Sequence, residues 1–164
     1  DELNSLNGLE HITSMDGYLI IINNGSLISL SGLDGLAYVG NYLWITGNKN
    51  LTSLSGLDNL TSVSLSSTGK GNSYASLDKS ILVNTDEIIP SVSKRTIHSP
   101  HGFFSISNNS VLKSLSSLNK LTTIGGSLFI ENNAALESLT GLENLITVNN
   151  NLRMGNDAFS RANS

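Results

Sequence analysis

The sequence predicts a mainly β solenoid of about five 24-residue coils with one long insertion. Three observations carry that reading. Segments of 24 residues repeat along the chain. Each holds a stretch in which apolar residues alternate with period two, the mark of a strand. Each also holds leucines spaced by three, which suits a tight, partly 3₁₀ or irregular path on the opposite wall. A single coil of this kind cannot bury its apolar face, so stacked coils must share one core.

The first coil is "LNSLNGLEHITSMDGYLIIINNGS" at 3–26 and the second is "LISLSGLDGLAYVGNYLWITGNKN" at 27–50. A third begins "LTSLSGLDNLTSV" at 51 and breaks off after Val63, and the pattern resumes at Phe103. Aligned copies give ladders of equivalent residues. Leu6, Leu30, Leu54, Leu115 and Leu139 form one, and Met15, Val39, Val63, Ile124 and Val148 another. In the strand, Leu19, Leu43, Phe104, Leu128 and Leu152 are followed two residues later by Ile21, Ile45, Ile106, Ile130 and Met154. Period two puts both sets on the inner face. Asn24, Asn48, Asn109 and Asn133 recur just after the strand, with Asp157 continuing the series. Asn tolerates turn geometry and its amide satisfies backbone groups between coils, so this ladder reads as structural. Gly8, Gly32, Gly56 and Gly141 read as turn residues, with Ser117 standing in the fourth copy.

The strand motifs "GYLIIINN", "NYLWITGN", "GFFSISNN" and "GSLFIENN", each tied to an "L..L..L..L..I" run, resemble the leucine-rich-repeat-like receptor L-domain family. That resemblance spans almost the whole chain apart from the insertion. It implies a right-handed, leucine-rich-repeat-like solenoid and an extracellular binding or adhesion role. The cysteines of the animal receptors in that family are missing here.

Between Val63 and Phe103 the chain spends about forty residues where the repeat requires only a few. The extra segment, about 65–101, holds both prolines, His98 and His101, and four basic residues. Insertions in solenoids fall as loops on one face, often the binding face. "SILV" and "EIIPSV" are apolar enough to dock on the solenoid, whereas "STGKGNS" reads as a mobile tip. "GKGNS" lacks phosphate-loop spacing and context. His98 and His101 make an H-x-x-H pair without an evident third ligand, so no metal and no cofactor are expected.

The whole of 1–164 reads as a single solenoid domain. Nine basic and thirteen acidic residues give a net charge of −4, with no basic tract to grip nucleic acid. No cysteine is present, which excludes disulfides and thiol chemistry. The longest apolar run, "YLIII" at 18–22, is far too short to span a bilayer. Scarce charge and abundant Ser, Asn, Thr and Gly point to an extracellular or cell-surface location. Neither end is an obvious polar cap, which suggests a fragment of a longer surface protein or self-association.

Candidate binding residues follow from the outward strand positions. Tyr18, Tyr42, Trp44, Phe103 and Phe129 fall there, five of nine aromatics (one Trp, four Tyr, four Phe). With strands roughly 4.8 Å apart the rings would make a nearly continuous stripe. Ile20, Glu131 and Arg153 complete the candidate set. An exposed apolar stripe of this kind marks a partner surface. The competing readings are that aromatics favour strands and pack on their neighbours, or that 65–101 covers them.

Glu10, Asp34, Asp58, Asn119 and Glu143 make a second row. Stacked like charges repel by roughly 0.8 kcal/mol per pair in water, tolerable on an exposed edge where the carboxylates cap backbone amides. Sequons at Asn24, Asn50, Asn59 and Asn108 are candidate glycosylation sites, although an Asn/Ser/Thr-rich repeat generates them by composition.

The function expected is a non-catalytic extracellular binding or adhesion module whose partner is a protein or glycan at a cell surface. A polysaccharide-active β-helix enzyme is the alternative, but glycoside hydrolysis needs two close carboxylates and the strand face supplies only Glu131. Binding to ice or another crystalline surface is a further alternative. Its Thr13, Thr61 and Thr122 row is broken by Ala37 and Ile146.

Overall fold

The computed structural model describes residues 3–64 and 103–155. They form a β-solenoid of about four turns, mainly β, with two parallel sheets. Long strands make one wall: β2 (Leu19–Ile22), β4 (Tyr42–Thr46), β6 (Phe103–Ser107), β8 (Ser127–Glu131) and β10 (Leu152–Gly155). Two-residue strands make the other: β1 (Ser14–Met15), β3 (Tyr38–Val39), β5 (Ser62–Val63), β7 (Thr123–Ile124) and β9 (Thr147–Val148). The spatial orders are β2-β4-β6-β8-β10 and β1-β3-β5-β7-β9.

Register follows from the repeat. Leu43 pairs with Leu19 and Phe104, and Leu128 pairs with Phe104 and Leu152, so inner residue stacks on inner residue throughout. A one-residue slip would turn every inner side chain outward, which makes this register strongly specified. Tyr42 pairs with Phe103 across 61 residues rather than 24, an excess of 37 that equals the length of 65–101. The insertion itself lies outside the described residues.

The leucine run owes its period to hydrogen bonding. Leu33 N–H donates to Leu30 C=O, Leu36 to Leu33, Leu57 to Leu54 and Leu60 to Leu57, all over three residues. Each tight turn returns every third side chain to the core, where Leu27, Leu30, Leu36, Leu51, Leu54, Leu57 and Leu60 are fully buried. Burying one such side chain is worth about 1.5–3 kcal/mol, and the contacts lie between coils. Where Ser117 replaces the turn glycine and Asn119 the acid, the chain forms a 3₁₀ helix over Ser116–Leu118 instead. The glycines it departs from have φ near +110°, which a serine rarely adopts.

The Asn ladder joins the coils. Asn48 Oδ1 accepts from Asn24 N–H, Asn109 Oδ1 from Asn48 N–H, and Asn133 Oδ1 from Asn109 N–H, at 3.0–3.1 Å. Each amide nitrogen of Asn48, Asn109 and Asn133 donates to the preceding strand's carbonyl, at Ile21, Ile45 and Ile106. Asn48 and Asn109 are fully buried, so the ladder satisfies polar backbone that water cannot reach.

Candidate binding face

The outer side of the long-strand sheet carries the candidate residues. β4 supplies Tyr42 and Trp44, β6 supplies Phe103, β8 supplies Phe129 and Glu131, and the edge strands supply Ile20 and Arg153, with Tyr18 just before β2. Parallel register brings them together: Ile20 pairs with Trp44, Trp44 with Ser105, Ser105 with Phe129, and Phe129 with Arg153. Phe103 is the hub. Its ring centroid lies 4.8 Å from Tyr42, 5.1 Å from Trp44 and 6.0 Å from Phe129, in tilted or edge-on geometry. Small side chains at Ser105 and Ser127 leave room for those diagonal contacts.

This geometry corrects the expected exposed stripe. Tyr42, Trp44, Phe103 and Phe129 are 0–7% exposed and form a second apolar cluster, with Ile20 and Ile22 half-buried against it. Tyr18 alone among the five rings is exposed, at 39%. Register brings the rings of successive strands within packing distance of one another, and those contacts supply part of their burial. Whether 65–101 also covers them lies outside the described residues.

Two polar features sit in the cluster. Trp44 Nε1 is buried and finds no acceptor among the described residues. Such a donor costs about 1–3 kcal/mol relative to a paired one. Glu131 is buried and pairs with Arg153 Nε on the neighbouring edge strand, where the Arg153 side chain stays 46% exposed. Beside them Ser107 Oγ donates to Thr46 Oγ1 at 2.9 Å.

The acidic row turns inward on its own turns. Gly32 N–H donates to Asp34, Gly56 to Asp58 and Gly141 to Glu143, at 2.7–2.9 Å. Gly8 N–H meets both oxygens of Glu10 at 2.9 Å, and that bond, joined by the Glu10 backbone amide, holds the Glu10 carboxyl below its ordinary 4.5. These carboxylates are turn caps. Among the described residues no three His, Cys, Asp or Glu are grouped to hold a metal, and no helix is long and apolar enough to cross a membrane. His98 and His101 lie outside the described residues.

The remaining polar rows also serve the stack. Thr61 Oγ1 donates to Ala37 C=O and Thr122 Oγ1 to Thr61 C=O, coil to coil. All four sequon amides donate as well: Asn24 to Ile22 C=O, Asn50 to Gly25 C=O, Asn59 to Asp34 C=O, and Asn108 to Thr46 Oγ1. A glycan on any of them would have to replace or tolerate that bond.

Sequence reasoning missed the second sheet, whose strands are only two residues long. It also missed a concavity of about 300 Å³ at the last coil, lined by Ile130, Asn133, Leu136, Leu139 and Met154 among others. The available signal was that Leu139 and Met154 repeat core positions in the final copy. Comparison of the chain with protein-family models, curated proteins and solved structures returns no match.

Proposed function

We propose that the chain is a non-catalytic binding or adhesion module at the cell surface or outside the cell, built as a right-handed, leucine-rich-repeat-like solenoid of five coils related to receptor L-domains. Its partner is a protein or a glycan. The observation that carries this reading is the outer row of the long-strand sheet. Beyond the inner row, the outer row packs four rings, those of Tyr42, Trp44, Phe103 and Phe129, into a second apolar cluster. At its margins stand Tyr18, exposed, and Arg153, held by Glu131. The ring cluster acts as a rigid platform, and contact with the partner is made at those margins and at Ile20. Support for the non-catalytic reading comes from the carboxylates. The acidic row is committed to glycine amides, and Glu131 to Arg153.

The test is binding of labelled chain to immobilised cell-wall polysaccharides and to intact cells. Tyr18→Ala should weaken retention at least tenfold while leaving the melting temperature unchanged, and Arg153→Ala should weaken it as far but lower the melting temperature, because it strips the buried Glu131 carboxylate of its partner. Retention equal to that of the parent chain in both variants would sink the proposal.

A further inference from the structure

Strands β4, β6 and β8 are buried on both sides of their sheet. Their inner rows pack in the leucine core, and their outer rows are closed to solvent as well. Closure is not confined to the rings. Ser107 and Ser127 are fully buried, and Thr46, Ser105 and Glu131 are at most 3% exposed. The edge strands differ: Ile20 and Ile22 on β2 are half-buried, and β10 is exposed along its whole length.

The described residues do not account for this closure. A side chain standing on a sheet is shielded at its flanks by neighbours in that sheet, and from above only by a further layer. Among the described residues, the apolar side chains packed on the ring cluster are Ile20 and Ile22, which belong to the sheet itself. Thr46, Ser107 and Glu131 are register partners in a column that holds no ring of its own, yet all three are sealed.

The layer so required matches 65–102 in position, length and composition. In the second coil Gly40 and Asn41 alone lead from β3 to β4. The third coil inserts its extra residues at that same corner, and the chain re-enters the sheet as Phe103, the hub of the rings. Three strands of five residues present a patch of roughly 15 by 17 Å, which about fifteen residues cover in three extended passes. The segment is longer than that, and it supplies apolar groups at Ile81, Leu82 and Val83 and again at Ile88, Ile89 and Val92.

We infer that 65–102 packs across the outer side of β4, β6 and β8 as a fixed further layer of the solenoid, with its two apolar groups against the rings and the small side chains between them. The layer stops short of β2 and β10, which leaves Tyr18 and Arg153 open at the margins. It holds whatever those margins bind. The rival covers are a second copy of the chain and residues 156–164.

Two probes of the covered face test this: Trp44, the only tryptophan, and a thiol introduced by Ser105→Cys into a chain without cysteine. In the full-length chain the thiol should react with a maleimide at least tenfold more slowly than in urea, at every protein concentration. Deleting 65–101 joins Ser64 to Gly102 and restores a 24-residue coil. The shortened chain should keep its β circular dichroism and cooperative melting, shift Trp44 emission to the red and label at least tenfold faster. Should it fail to fold, the full-length chain carrying Ile81→Asp, Leu82→Asp, Ile88→Asp and Ile89→Asp should show the same two changes. Shielding that survives in the variant would overturn the inference and point to 156–164. A full-length thiol that labels freely would also overturn it. So would shielding that appears only at high concentration, which makes a second copy the cover.

Discussion

Asn109 and Asn133 sit one coil apart, and a single oxygen joins them. Asn133 Oδ1 accepts from the backbone N–H of Asn109 at 3.1 Å and from its side-chain amide at 3.3 Å. Asn109 in turn offers its own Oδ1 to Asn48 and its Nδ2 to Ile45 C=O. Removing it strands the buried Asn48 N–H and takes one donor from the Ile45 carbonyl. Asn109→Ala should cost about 2–4 kcal/mol, one to three per buried group left unpaired. Asn24→Ala, on the partly exposed first rung, should cost only about 1 kcal/mol. Urea unfolding of the two variants checks the difference, and equal losses would make the ladder irrelevant to stability.

Trp44 is the only tryptophan, and its ring is buried against Phe103. Trp44→Ala should therefore destabilise by about 3–5 kcal/mol, the range for a large core aromatic. Trp44→Phe keeps most of the ring packing and removes an indole N–H that has no acceptor among the described residues. Its cost should stay below about 1.5 kcal/mol. Emission of the parent chain should be blue-shifted and resist iodide quenching. A solvent-exposed emission spectrum would return Trp44 to the surface.

The inner row was legible because register leaves it no freedom: Leu43, Phe104 and Leu128 must face inward if any one of them does. The Asn ladder was legible for the same reason, since Asn48 and Asn109 occupy equivalent turns. The outer row was not. Alternation places Tyr42, Trp44, Phe103 and Phe129 on the side away from the core, but it carries no information on how far rings lean across a neighbour. That depends on the small residues between them, Ser105 and Ser127. The acidic row was legible as caps: Glu10, Asp34 and Asp58 each reach back two residues to a glycine amide rather than across to the next coil.

Glu10 makes a pH prediction with a defined sign. Its carboxyl is held low chiefly by the Gly8 N–H, so the folded value lies below the unfolded one. The contribution to stability is then present above the unfolded value and disappears as pH falls through the folded one. Glu10→Gln should remove that part of the acid dependence and leave stability near neutral pH slightly reduced. Following the Glu10 carboxyl by NMR should give a midpoint below 4.5, and a midpoint above it would contradict the cap.

Gly8 and Gly56 separate backbone strain from crowding. Both hold φ between +106° and +109°, so alanine is strained at either position by about 1–3 kcal/mol. Around Gly8 a Cβ meets nothing within 4 Å, whereas at Gly56 it would lie 2.0 Å from the Leu30 carbonyl oxygen. That oxygen belongs to backbone fixed by the Leu33 N–H and cannot swing aside. Gly56→Ala must push two coils apart as well as strain its own turn, adding about 1–3 kcal/mol of overpacking. Thermal unfolding should rank Gly56→Ala well below Gly8→Ala. If the two melt together, the close approach of coils at this turn is not what selects glycine, and φ alone accounts for it.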